Sequence, residues 1–106
     1  MLEITPTELQ EYLAVADPPP LLLDVRESEE YAICRIAGSR HIPMNQIPEA
    51  HGTLDPEQEI IVICHHGMRS ARIANYLQQI GFSKVFNLAG GIHAWACEVD
   101  TDMPTY

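Results

Sequence analysis

The chain of 106 residues is 46% hydrophobic and 20% charged, and it carries a formal net charge of −9. This length fits a single domain over residues 1–106, and the composition excludes a disordered chain. The acidic balance excludes nucleic-acid binding through a basic surface. No apolar run approaches the roughly 20 residues of a membrane-spanning helix.

Residues 1–12 lack the basic and apolar regions of a signal peptide, which makes the cytoplasm the expected location. The chain has three cysteines, Cys34, Cys64 and Cys97. This odd and small number argues against a disulfide framework and for a reducing compartment.

Helical patterns and short apolar runs alternate along the first half of the chain. The spacing of Leu9 and Leu13 predicts a helix that begins near Thr5. Residues 21–25 form an apolar run interrupted only by Asp24, which is typical of a strand covered on both faces. The other elements of this half are a short helix at 28–34 with Ser28 as its N-cap, a short strand at 41–42, and one or two helical turns at 45–50.

The second half of the chain contains the clearest strand and the clearest helix. Residues 60–63 are β-branched throughout and predict a strand. A helix is predicted at 70–80, where Ile73 and Leu77 share a face and Gly81 follows the last turn. A strand at 85–88 and a helix at about 92–99 complete the predicted elements.

Strands that alternate with helices at these short spacings predict an α/β fold. We expect a single domain built on a central, mostly parallel sheet of about five strands, with helices on both faces. In such sheets ligands bind outside the carboxyl ends of the strands. Cys64 lies at one of these ends and Asp24 and Arg26 lie at another, so these residues are expected to be neighbours.

The segment from Cys64 to Ser70 places a thiol between a strand and a helix. A free cysteine is only about 3% thiolate at neutral pH, so a catalytic thiol needs local stabilisation of its anion. Backbone N–H groups from His65 onward can turn towards the sulfur as an anion-binding nest, and the helix expected from Ser70 adds the positive end of its dipole. Gly67 allows the backbone geometry that such a loop requires. Arg69 points either into this loop or outward to a carboxylate.

Two other interpretations of Cys64 are less favoured. The first is a buried strand cysteine, because free cysteine is among the most buried residue types. The second is a metal site formed by Cys64, His65 and His66, but adjacent residues rarely aim at one centre, and the chain lacks the paired spacings of zinc ligands. The sequence therefore predicts a reactive thiol and no metal site.

Several separated motifs follow one another in the order found in one known family. They lie at 21–26, 30–31, 38–43, the Cys64 loop with its helix, and 87–95. On these residues the chain resembles the single-domain rhodaneses, a family of sulfurtransferases. The resemblance implies a rhodanese-like fold, a persulfide carried by Cys64, and no metal or organic cofactor. It also implies that the loop residues bind substrate, namely His65, His66, Gly67, Met68, Arg69 and Ser70.

The length of the loop separates sulfur chemistry from phosphate chemistry. Four residues lie between Cys64 and Arg69, whereas tyrosine and dual-specificity phosphatases have one more in this position. The smaller ring suits one sulfur atom better than a tetrahedral phosphate, and site geometry decides function within a shared fold. Sulfur transfer is therefore favoured over a small phosphatase or arsenate reductase. A non-catalytic module that binds a sulfur-trafficking partner is a further alternative.

The expected partners are a small sulfur donor, thiosulfate or a persulfide, and a thiophilic acceptor such as cyanide, a thiol or a protein. Some thiosulfate-using members of the family have lysine or an extra arginine where this loop has His65 and His66. The loop and residues 99–106 also resemble rhodanese domains fused to sulfur-carrier adenylyltransferases. A sulfur-carrier protein or a cysteine desulfurase is therefore another candidate partner, whereas nucleic acid and membrane are not expected.

The residues around the loop allow a functional and a structural interpretation. Asp24 and Arg26 either orient the loop through hydrogen bonds or form an ordinary ion pair at the end of a strand. Arg69 either contacts substrate or ties the loop to a nearby carboxylate. Cys34 and Cys97 are predicted to be buried helix residues and not resolving thiols.

Overall fold

The computed structural model describes residues 2–106 of the chain. Within these residues the strands are β1 (Leu2–Ile4), β2 (Leu21–Asp24), β3 (Arg40–His41), β4 (Ile60–Ile63) and β5 (Val85–Leu88). The α-helices are α1 (Pro6–Val15), α2 (Ser28–Ile33), α3 (Ile47–Ala50), α4 (Met68–Gln79) and α5 (Gly91–Glu98). Short 3-10 turns at Met44–Gln46 and His51–Thr53 flank α3. None of the helices in this described part of the chain combines the length and the apolar character needed to cross a membrane.

The strands form one sheet in the order β1-β5-β4-β2-β3, and every neighbouring pair is parallel. Strand β4 lies in the centre, between β5 and β2. Asp24 pairs with Ile63 in the register of β2 and β4. This register places Arg26 and Cys64, which follow the two strands, at the same edge of the sheet. The expected parallel sheet of about five strands is confirmed.

Side chains of β4 alternate between the two faces of the sheet and fill the core on both. Ile60 and Val62 belong to the core formed with α3 and α4, whereas Ile61 and Ile63 belong to the core formed with α1 and α5. None of the four is more than 1% exposed. Burial of each such side chain contributes roughly 1.5–3 kcal/mol relative to leaving it in water. The predicted α/β class, with helices on both faces, is confirmed.

Helix α4 begins at Met68, two residues earlier than the sequence predicted. Gly67 occupies the N-cap with a φ of 100°, and this left-handed backbone lets the chain pass from the loop directly into the helix. At the other end Gly81 has a φ of 108° just beyond the last turn, as expected for a glycine stop.

Two other predictions about the elements are wrong, and one strand was not predicted. Ser28 is the first residue of α2, and the N-cap is Glu27, whose N–H donates to the Glu30 carboxylate at 2.9 Å. Strand β1 was not predicted, because three residues ahead of a helix carry too little hydrophobic pattern. Cys97 is exposed on α5, although Cys34 is buried as expected, at the end of α2.

Candidate active site

Cys64 follows β4 directly and is 1% exposed. Two donors face its sulfur. The backbone N–H of Gly67 lies 3.0 Å from Sγ, and the hydroxyl oxygen of Ser70 lies 3.2 Å from it. The sequence predicted a series of N–H groups around the sulfur, whereas the hydrogen bonds found among residues 2–106 come from these two groups alone. Both donors, together with the N-terminus of α4, can stabilise an anionic sulfur at this position.

A buried chain of hydrogen bonds continues from Ser70 to Asn87 on β5. The amide nitrogen of Asn87 donates to the Gly67 carbonyl at 3.1 Å and to the Glu3 carboxylate at 2.9 Å, so the amide oxygen faces the Ser70 hydroxyl. That hydroxyl has one proton, which it donates either to the amide oxygen or to the sulfur of Cys64. Asn87, to which the sequence assigned no role, therefore holds both sulfur donors in place.

The backbone of the loop lies against the first turn of α5. The N–H of Ile92 donates to the Cys64 carbonyl at 2.8 Å, and the N–H of His93 donates to the His65 carbonyl at 3.1 Å. Gly91 has a φ of 64°, and a Cβ atom there would overlap the first of these carbonyl oxygens and lie 2.5 Å from the second. Only glycine permits this approach. The first turn of α5 thereby sets the position of the Cys64 backbone.

Arg69 binds the carboxylate of Glu30 on α2. Its Nη1 and Nη2 atoms lie 2.7 and 2.9 Å from the two carboxylate oxygens, a bidentate arrangement. These hydrogen bonds lower the pKa of Glu30 from its ordinary value of 4.5 to about 2, against the opposing effect of burial. Of the two orientations left open by the sequence, Arg69 adopts the outward one. Met68, beside it, is 78% exposed at the start of α4.

Asp24 and Arg26 form an ion pair whose side chains are both 0% exposed, with 2.8 Å between Nη2 and Oδ2. Other donors of Arg26 reach the carbonyls of Glu30 at 3.2 Å and Cys34 at 2.6 Å. Burial by itself lowers the pKa of Arg26, but its hydrogen bonds, above all those to Asp24, outweigh burial and make the net shift upward. Within residues 2–106 neither side chain is hydrogen-bonded to the loop. Arg26 reaches α2 and the hydroxyl of Tyr106, so these are the contacts through which the pair can act on the loop.

Four aromatic rings cluster beside the loop. The ring of His65 stacks on Tyr106 with 4.1 Å between centroids and lies 4.0 Å from the ring of His66. The ring of His93 lies 5.1 Å from that of His66. Burial, followed by the electrostatic effect of His66, lowers the pKa of His65. No group of three His, Cys, Asp or Glu side chains in the described part of the chain is arranged to hold a metal ion.

The family model for the rhodanese-like domain matches residues 5–98, which include the whole Cys64 loop. The chain belongs to the rhodanese-like domain family. The resemblance inferred from the separated sequence motifs is confirmed, and the family is one of sulfurtransferases.

Known proteins similar to this rhodanese-like chain include bacterial and plant proteins. The putative sulfurtransferase YtwF of Bacillus subtilis (strain 168) is 44% identical over 96 residues, which cover 91% of this chain and 91% of YtwF. The rhodanese-like/PpiC domain-containing protein 12, chloroplastic, of Arabidopsis thaliana is 40% identical over 89 residues, which cover 80% of this chain but 30% of that protein. The crystal structure of a rhodanese-like domain protein from Staphylococcus aureus superposes with a TM-score of 0.84 at 35% identity, covering 90% of this chain and 91% of that one.

Five residues of the rhodanese-like site were not assigned a role from the sequence, namely Glu30, Asn87, Gly91, His93 and Tyr106. A polar residue within an apolar strand was the available signal for Asn87. The Gly90–Gly91 pair, which forms the N-cap and the first residue of α5, was recognisable as a turn, but its contact with the loop was not. Tyr106 and Glu30 meet across a separation of 76 residues, which no local pattern reveals.

Proposed function

We propose that the protein is a sulfurtransferase that moves a sulfane sulfur from thiosulfate or a persulfide donor to a thiophilic acceptor through a persulfide on Cys64. The observation that carries this proposal is the buried sulfur of Cys64, with the Gly67 N–H and the Ser70 hydroxyl aimed at it. An anionic sulfur needs such donors, whereas a neutral core thiol does not. Membership in the rhodanese-like family and the similarity to a putative sulfurtransferase support the same chemistry.

In the first half-reaction the Cys64 thiolate attacks the outer sulfur of the donor. A bond forms between Sγ and that sulfur, the bond to the rest of the donor breaks, and sulfite or a donor thiolate leaves with the electron pair. In the second half-reaction an acceptor attacks the outer sulfur of the persulfide and releases Cys64 as a thiolate, so that cyanide becomes thiocyanate. The cycle needs no added oxidant and no cofactor. We place it in a single domain over residues 1–106 and in the cytoplasm, since three free thiols suit a reducing compartment.

Different residues of the loop bind the sulfur and the rest of the donor. Gly67 and Ser70 stabilise the anionic sulfur directly. His66 and Met68 are exposed, and they are the side chains that an approaching donor meets. His65 is half-buried and packs the loop from the side.

The charges beside the site favour a persulfide donor over free thiosulfate. Arg69 is paired with Glu30 and Arg26 is paired with Asp24, so neither guanidinium is free to attract a small dianion. The net charge of −9 also repels anions at a distance. A cysteine desulfurase as donor, or a sulfur-carrier protein as acceptor, docks through protein contacts and does not depend on such attraction. In this proposal the Asp24–Arg26 pair orients the loop through α2 and Tyr106.

Cyanide-dependent formation of thiocyanate, with thiosulfate or a small persulfide as donor, tests the proposal. Cys64→Ser removes the nucleophile and should abolish turnover, while Cys97→Ser removes an exposed thiol and should leave turnover unchanged. After incubation with donor, wild type should gain one sulfur, about 32 Da, that cyanide removes and that Cys64→Ser never acquires. Full turnover by Cys64→Ser would overturn the proposal. Hydrolysis of an aryl phosphate by wild type but not by Cys64→Ser would favour a phosphatase.

A further inference from the structure

The hydroxyl of Tyr106 lies between the two ion pairs of the site. It accepts a hydrogen bond from Nη1 of Arg26 at 3.1 Å and donates one to Oε2 of Glu30 at 2.9 Å. Arg26 is in turn bound to Asp24, and Glu30 is bound to Arg69. The phenol thus accepts from a guanidinium and donates to a carboxylate, which are the directions that these two groups require. It links the buried ion pair at the end of β2 to the ion pair beside the loop.

The ring of Tyr106 contacts the loop itself. It stacks on the imidazole of His65 with 4.1 Å between centroids and 22° between the planes. His65 directly follows the nucleophile, and the stacked phenol is part of what buries it. Tyr106 is itself 39% exposed, so its replacement removes these contacts without opening a cavity in the core.

We propose that Tyr106 is a positioning residue for the Cys64 loop during sulfur transfer. Its hydroxyl holds the Glu30 carboxylate, that carboxylate holds Arg69, and Arg69 lies in the first turn of α4, which follows the loop. Its ring holds His65 against the same loop. The kinetic consequences rest on the proposed function, whereas the effect on loop geometry does not.

Two substitutions separate the contributions of the hydroxyl and the ring. Tyr106→Phe removes the hydroxyl and keeps the stacked ring, and Tyr106→Leu removes both. Tyr12→Phe is the matched control, because it removes a phenol hydroxyl that is hydrogen-bonded to the carboxylate of Glu59. Glu59 precedes β4 and Cys64 follows it, so the control breaks the same kind of bond at the opposite edge of the sheet.

The kinetic readout is kcat/KM for cyanide-dependent turnover. A displacement of about 1 Å at a reacting group can lose roughly 100-fold in rate. We expect a loss of about 3- to 10-fold in Tyr106→Phe and of about 10- to 100-fold in Tyr106→Leu. Tyr12→Phe should match wild type.

A second readout reports the loop without any sulfur donor. Cys64 is 1% exposed, so its alkylation by iodoacetamide is slow while the loop is held in place. Peptide mapping by mass spectrometry distinguishes this alkylation from that of the exposed Cys97. Alkylation should be several-fold faster in Tyr106→Phe and faster again in Tyr106→Leu. It should be unchanged in Tyr12→Phe.

A third readout is the NMR titration of the His65 ring, which separates the two contributions of Tyr106. In Tyr106→Phe the stacked ring remains, and the pKa of His65 should stay near its wild-type value. In Tyr106→Leu burial is relieved, and the pKa should rise towards the ordinary 6.5. The other groups that act on this pKa are His66, His93, Glu30 and the backbone of residue 106, and all of them are present in both variants.

The outcomes distinguish this inference from the proposed function. If both Tyr106 variants match Tyr12→Phe in alkylation and turnover, the positioning role is wrong. If both variants change alkylation and Tyr106→Leu also shifts the His65 titration, while wild type shows no sulfur transfer, the proposed function fails and the positioning role remains. A lower free energy of unfolding with unchanged alkylation and titration would show that Tyr106 only stabilises the fold. If Tyr106→Leu does not fold, alkylation and turnover of Tyr106→Phe decide the question.

Discussion

Gly91 of α5 lies against the carbonyl oxygen of Cys64, at a distance that leaves no room for a Cβ atom. The next residue, Ile92, donates its N–H to that same oxygen at 2.8 Å. Two distant parts of the chain therefore meet through their backbones at Cys64. The position of the sulfur depends on this contact as well as on the loop that follows it.

Gly91→Ala should destabilise the protein by about 3 kcal/mol or more, because a Cβ atom would overlap the loop backbone and the backbone there is left-handed. Gly38→Ala is the matched control, since Gly38 has a similar φ of 83° but a Cβ atom there meets nothing within 4 Å. This control should lose only about 1 kcal/mol. Urea unfolding measures both variants. Equal losses would show that the close approach to Cys64 contributes nothing.

The ion pair between Glu30 and Arg69 should make stability depend on pH in the acidic range. The pKa of Glu30 is about 2 in the folded protein, against an ordinary 4.5, so the unfolded state binds more protons between these values. The stabilisation is complete above the ordinary value and is lost as the pH falls towards the folded value. Glu30→Gln should therefore lower the free energy of unfolding by about 1 kcal/mol at neutral pH.

The difference between Glu30→Gln and wild type should vanish as the pH approaches the folded pKa of Glu30, about 2. Urea unfolding across the acidic range measures this convergence. Arg69→Gln and the double variant complete a double-mutant cycle at neutral pH. Additive losses in that cycle would mean that the pair itself contributes no stability.

Ser70→Ala should lower kcat by about 10- to 100-fold with little change in the KM of the donor, because the hydroxyl acts on the anionic sulfur. It should also lose about 1–3 kcal/mol of stability, since the amide oxygen of Asn87 is left without its donor. Ser39→Ala removes a hydroxyl that is hydrogen-bonded to Tyr31 and not to the sulfur, and it should keep the wild-type kcat. Steady-state kinetics of thiocyanate formation, measured under conditions in which all variants are folded, test this prediction. If Ser70→Ala and Ser39→Ala behave alike, the role of Ser70 is refuted.

The fold was largely predictable because its hydrophobic pattern is strong. Residues 60–63 are apolar at every position, which is typical of a strand covered on both faces. Strand β1 escaped prediction because its three residues at the edge of the sheet become a strand only by pairing with β5. The start of α4 at Met68 depends on the left-handed conformation of Gly67, which the sequence permits but does not demand.

The place of Cys64 at the end of a central strand was predictable, but most of its surroundings were not. Cys64 was predicted to be the reactive thiol because a strand, a loop and a helix follow one another in the chain around it. The residues that contact its loop, such as Asn87 and Tyr106, lie on separate parts of the chain, and only the tertiary fold brings them near. The orientation of Arg69 was undetermined for the same reason, because Glu30 lies 39 residues earlier in the chain. The local sequence pattern indicates which functional groups are present, whereas contacts between distant parts of the chain determine which of these groups lie next to each other.

If the protein is the proposed sulfurtransferase, the pairing of Arg69 with Glu30 should make it discriminate against doubly charged donors. Thiosulfate carries two negative charges and methanethiosulfonate carries one, while both offer an outer sulfur to Cys64. In Glu30→Gln the guanidinium is no longer neutralised, so the ratio of kcat/KM for thiosulfate to kcat/KM for methanethiosulfonate should rise about 3- to 10-fold. Because this ratio compares two donors in the same variant, a loss of loop order that slows both donors equally does not change it.

Arg69→Gln and the double variant are the controls for this change in donor preference, since neither retains the cation, and their ratios should not rise. Added salt should reduce the effect in Glu30→Gln, because partly exposed charges are screened. An unchanged ratio in Glu30→Gln would show that Arg69 never meets the charge of the donor. The carboxylate of Glu30 would then serve only to hold the loop, and the preference for a persulfide donor would have to come from protein contacts at the exposed rim formed by His66 and Met68.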